Sequence, residues 1–176
     1  PEAPGPIISL GNVMPGDSGA VVIGLLAESV PPEAEAMDVW FRPVLTSNAE
    51  NSVNEPELKA SLEDDTGDGT SDGELADALI VQFFQDNGFV GGCDGQNGIL
   101  ERSLTTKTSL DAAFDEIEAG VELTDPCLAE GERRCVGFTW ELPGDVGNAV
   151  QTDSVTFDFQ FEGIACGESP SWRESV

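Results

Sequence analysis

Val155-Thr156-Phe157-Asp158-Phe159-Gln160-Phe161 is the stretch whose reading decides the fold class. Its large apolar residues fall at every second position with polar residues between, the period of a strand that buries one face. The segment before it repeats the pattern: Val136, Phe138, Trp140 and Leu142 alternate with Gly137, Thr139 and Glu141. Between the two, residues 143–150 (Pro-Gly-Asp-Val-Gly-Asn-Ala-Val) supply a polar connection. Two half-buried antiparallel strands are therefore expected, and with them an all-β domain. If these strands or their sheet neighbours lie side by side, Cys135 and Cys166 come to the same end. That favours a Cys135–Cys166 bridge and leaves Cys93 with Cys127, one of the three pairings four cysteines allow.

Toward the N-terminus the same logic continues. Pro15-Gly16 reads as a type II turn, because proline presets φ at the first central position and glycine accepts positive φ at the second. Ile7-Ile8-Ser9-Leu10 precedes that turn as a short strand, and the apolar run 20–26 follows it as a buried one. Met37, Val39 and Phe41 alternate with Asp38, Trp40 and Arg42 as a further strand closed by Pro43, which would make a meander. Residues 47–73 turn to Asn, Asp, Glu, Gly, Ser and Thr, the composition of a surface excursion. Leu79 to Phe84 reads as another apolar strand. Residues 109–119 form the clearest helix, with Leu110, Ala113, Phe114 and Ile117 on one face, Thr108 or Ser109 as cap and Gly120 as terminator. It is expected to pack on the sheets within a single 1–176 β-sandwich domain.

Charge narrows the setting. The 176 residues carry 34 acidic and seven basic side chains, no histidine, and a formal net charge of -27. Such self-repulsion is tolerated most simply in molar salt, where the Debye length falls to about 3 Å. A halophile's protein is expected, with a calcium-loaded module or an acidic mimic of nucleic acid as the rival readings. Disorder is not, because 39% of the residues are hydrophobic, including nine Phe and three Trp. Nucleic-acid binding is excluded for want of a basic stripe, and no run is long enough and apolar enough to span a bilayer. Four cysteines without zinc spacing read as two disulfides of an exported protein, and the opening Pro1-Glu2-Ala3-Pro4 fits a chain whose export signal has been removed or was never included.

Catalysis finds little footing. Without histidine there is no Ser-His-Asp or Cys-His arrangement and no His-Glu-x-x-His helix, and no phosphate-binding glycine loop occurs. Among 34 acids, any chosen carboxylate pair is uninformative. No cofactor and no small-molecule substrate are expected. Asp64, Asp65, Asp68 and Asp72 lie among glycines as calcium ligands do, but the EF-hand pattern fails at Thr66 and Leu75. The run is read as a solvated loop, with weak calcium binding kept as an alternative.

Leu10-Gly11-Asn12-Val13-Met14-Pro15-Gly16-Asp17, leading into an apolar strand, resembles the opening of the TasA/camelysin-like family of secreted fibre proteins. The segment 135–143 (Cys-Val-Gly-Phe-Thr-Trp-Glu-Leu-Pro), with Asn148, Gln151, Asp153, Ser154 and Phe157 to Phe161, is similar to the closing hairpin of its archaeal members. Gly73-Glu74-Leu75-Ala76-Asp77-Ala78-Leu79 is a weaker echo. The matched segments cover about a third of the chain and occur in family order. The resemblance implies a jelly-roll β-sandwich, export by a dedicated signal-peptide route, and assembly with copies of itself into extracellular filaments of biofilms or cell bundles. In such filaments an N-terminal strand of one subunit completes the next subunit's sheet, which makes Ile7, Ile8, Ser9 and Leu10 the donor-strand candidates. The peptidase label of some relatives is not carried over, because no zinc ligands match. A non-polymerising cell-surface adhesion or calcium-binding module of the same fold is the alternative.

Overall fold

The structure, a computed structural model, describes residues 7–29, 36–51, 73–86, 93, 102–123, 127–147 and 150–173. Among these residues nine strands form two antiparallel sheets. β1 (Ile8–Gly11), β9 (Ser154–Ala165), β3 (Met37–Ala49) and β7 (Val121–Glu122) make one sheet in the order β1-β9-β3-β7. β2 (Ser18–Leu26), β8 (Arg133–Glu141), β4 (Ile80–Asp86) and β5 (Arg102–Ser103) make the other in the order β2-β8-β4-β5, and β6 (Thr108–Ser109) also pairs with β4. Strands β1 to β4 alternate between the sheets, and β8 and β9 return between the outer and inner strands of each. This is the jelly-roll winding of a β-sandwich.

The alternation read from the sequence is what faces the sheets together. Phe41, Phe83, Phe138 and Phe157 are wholly buried. Phe83 of β4 stands 5.8 Å from Phe41 and 6.0 Å from Phe159 across the sandwich, and 5.7 Å from Phe138 within its own sheet. Each such pair adds about 0.5–1.5 kcal/mol to what burial contributes. The turn at Pro15-Gly16 forms as expected: Gly16 has φ 95°, and the Asp17 amide donates to the Met14 carbonyl at 2.8 Å. α1 (Leu75–Ala78) precedes β4. α2 (Leu110–Glu116) carries the chain from β6 to β7, and so from one sheet to the other. Its Leu110 and Ala113 are buried, Phe114 meets Phe83 and Phe157, and Gly120 at φ 76° follows its last turn.

Three expectations are corrected. β2 and β3 lie in different sheets, so they make no meander, and β8 and β9 do not pair with each other. Alternation tells which face of a strand is buried but not which strand lies beside it. Pro43 does not close β3, which runs on to Ala49 with Pro43 opposite Phe159. β3 has β9 along one side, whereas β7 covers the other only at Trp40 and Phe41. A residue without an N–H is tolerated where the ladder is open. The excursion thus starts after Ala49, and residues 52–72 lie outside the described residues.

Candidate functional site

The donor-strand candidates occupy the chain's own sheet. Ile8, Ser9, Leu10 and Gly11 pair with Phe157, Thr156, Val155 and Ser154. Ile8 is buried and Leu10 packs against the core, while Ser9 faces solvent, as period two requires. Ile7 is 55% exposed and is held by its amide, which donates to Asp158 Oδ1 at 2.8 Å. Among the described residues β1 is the edge of its sheet. On the same side of the sandwich β2 is the edge of the other, paired with β8 from Ser18 to Leu26 and with no strand on its far side among the described residues. An open edge presents unpaired N–H and C=O groups to any chain that can add a strand. β2 is nine residues long, and Leu26 at its end is 49% exposed.

The four cysteines form two disulfides, but not in the expected pairing: Cys93 joins Cys135 and Cys127 joins Cys166. Cys135 alternates with the core-facing Val136 and therefore points to the outer face of its sheet, where Cys93 Sγ lies over Gly24. Cys166 follows β9 in the other sheet, beside the bridge between Met37 and Leu128. The expected Cys135–Cys166 bond would have had to join strands that are not neighbours.

Asp64, Asp65, Asp68 and Asp72 lie outside the described residues. The structure instead gathers three other carboxylates at the start of β9. One oxygen from each of Glu50, Glu74 and Asp153 lies within 4.8 Å of the other two. Glu50 follows β3, Glu74 precedes α1, and Asp153 precedes β9. The Leu75 amide donates to Asp153 Oδ2 at 3.1 Å, whereas Asp153 Oδ1 has no hydrogen-bond partner although the residue is only 1% exposed. Asn48 Nδ2 donates to the Gly73 carbonyl at 2.5 Å, and Asn51 Nδ2 to the Thr152 carbonyl at 2.7 Å, which ties the three segments together. Burial, then the charges of Glu50 and Glu74, and then a side-chain hydrogen bond with Glu50 push the Asp153 carboxyl up to about 7, opposed only by a Glu74 backbone hydrogen bond. A second grouping, Asp38 with Cys127 and Cys166, has both sulfurs in a disulfide and offers no thiolate.

Sequence reasoning missed this cluster because nothing marks Glu50, Glu74 or Asp153 among 34 acids. The one usable signal was position: each sits at the junction of a polar segment with an apolar element. Comparison with known proteins finds no family model that matches the chain and no curated protein that matches it.

Proposed function

We propose that this protein is a structural subunit of an extracellular filament or biofilm-matrix fibre, a halophilic relative of the TasA-like proteins, assembled by β-strand addition between subunits. The observation that carries this reading is β1: a four-residue strand with apolar residues at alternate positions, near the N-terminal end of a jelly roll and at a sheet edge. It is joined to the rest of its sheet through β9 alone among the described residues. Exchange would lift β1 from its own β9 and lay it in the same register on a neighbour's β9, with Asn12 to Asp17 as the connecting arm. The contact is heterologous, so it propagates as an open chain instead of closing as a dimer. Two disulfides and a net charge of -27 suit an exported protein in strong salt.

The Ser9→Cys/Thr156→Cys double variant tests this, because those positions face each other in the ladder. Exchanged strands give a ladder of covalent multimers on non-reducing gels and filaments by negative-stain microscopy in molar salt. Covalent monomer with no filaments refutes the proposal. Pairing of β1 within its own chain favours a second reading, a non-polymerising cell-surface adhesion module of the same fold, and that outcome would support it.

A further inference from the structure

We propose that Glu50, Glu74 and Asp153 bind one calcium ion, which fastens both ends of the acidic excursion to the start of β9. This goes beyond the filament reading and does not depend on it. Calcium takes oxygen ligands at about 2.3–2.6 Å, so oxygens around one ion stand up to about 5 Å apart. The three carboxylates, mutually within 4.8 Å, meet that spacing. Oxygen-only ligation suits a hard cation, and no cysteine or histidine competes for the site.

The buried oxygen carries the argument furthest. A buried acceptor left without a donor is destabilising, the more so when charged, and once Asp153 is ionised its Oδ1 is such an acceptor, with only the Glu50 carboxylate beside it to bond to. Its carboxyl is already fixed on the other side by the Leu75 amide, which leaves Oδ1 for the cluster. Its charged neighbours there are Glu50 and Glu74, and neither can donate a hydrogen bond when ionised. A divalent cation resolves the repulsion and the unmet acceptor together. Asn48 Oδ1, also buried and without a partner, lies two residues before Glu50 and is a neutral oxygen of the type calcium sites add to carboxylates. Since Glu50 and Glu74 bracket residues 51–73, one ion would close that segment at its base.

The test is titration of the full chain with calcium chloride alone at fixed molar ionic strength, read by calorimetry and by melting temperature. One site per chain is expected, with a dissociation constant of about 10⁻⁴–10⁻³ M, the range of extracellular calcium modules. Glu50→Gln and Glu74→Gln should each weaken binding by about tenfold or more and remove most of the calcium-dependent rise in melting temperature, a factor worth about 1.4 kcal/mol. They keep the test open should Asp153→Asn fail to fold. Asn substitutions at Asp64, Asp65, Asp68 and Asp72 should leave the affinity unchanged. Three results would overturn the assignment: no calcium response in the unmodified chain; binding lost in the four-Asp variant but kept in the Glu variants; or many weak sites filled equally by magnesium.

Discussion

Replacing Gly137 by alanine adds one methyl group in the middle of β8, between β2 and β4. Built on the observed backbone, that carbon would stand 2.5 Å from the Val21 carbonyl oxygen and 2.7 Å from Phe84 Cζ. The first is backbone of the neighbouring strand, and the second is the tip of a ring that is itself only 2% exposed. Neither can move without parting a ladder or tilting a packed aromatic. Overpacking of this kind costs about 1–3 kcal/mol. Against it stands the usual benefit of removing a glycine from a strand, about 0.5–1 kcal/mol. The net expectation is a loss of about 1–2 kcal/mol, which in a domain of this size lowers the melting temperature by about 2–8 °C. Thermal unfolding followed by circular dichroism in molar salt measures it. Gly147→Ala, at a glycine with nothing within 4 Å, should show no such loss. Phe84→Leu added to Gly137→Ala should recover part of the deficit by removing the ring tip. A melting temperature that rises in Gly137→Ala would refute the packing argument, because entropy alone predicts that sign.

Stability should climb with salt between about 0.1 M and 2 M as screening relaxes the repulsion of the -27 net charge; a flat melting temperature over that range would contradict it. Asp153 has its folded pKa raised from 3.8 to about 7, so the folded state holds a proton that the unfolded chain releases. In chelator, its contribution to stability should fall as pH rises from about 4 to 7. Comparison with Asp153→Asn isolates that slope, and parallel pH profiles would exclude it. Removing the Cys93–Cys135 bridge as a double serine variant opens a link across 42 residues and should cost up to about 4 kcal/mol by chain entropy, read in denaturant. Trp172→Ala removes the ring beneath the Arg42 guanidinium, 4.8 Å away, and should loosen the C-terminal turn at a cost of about 1–2 kcal/mol. Faster carboxypeptidase trimming would report it.

The residues that were legible in the sequence are those whose structure is local. Pro15-Gly16 specifies its turn by backbone chemistry alone, and Phe157, Phe159 and Phe138 declare their buried face by period. Leu110, Ala113, Phe114 and Ile117 announce a helix in the same way. What failed was everything that depends on a distant partner. Cys135 and Cys166 look adjacent because β8 and β9 look like a hairpin, yet β8 ends in one sheet and β9 begins in the other. Pro43 looked like a stop because the open side of β3 is invisible in one dimension. Glu50 and Asp153 meet across about a hundred residues of chain, and neither differs in type from the solvated acids around it.

The self-paired β1 sets the terms on which subunits could trade strands. The same four-residue ladder, made within one chain or between two, gains nearly equal contact energy. The balance is therefore one of proximity: the segment between β1 and β2 is short and held at Gly16 and Asp17 by Leu142, so the internal strand competes at an effective concentration of about millimolar or above. If β1 is the donor, such subunits would stay closed below that concentration and open to one another only above it, so the Ser9→Cys/Thr156→Cys test is decisive at protein concentrations beyond that figure. Their fibres would redissolve on dilution unless further sequence ahead of β1 adds contacts that the closed form lacks.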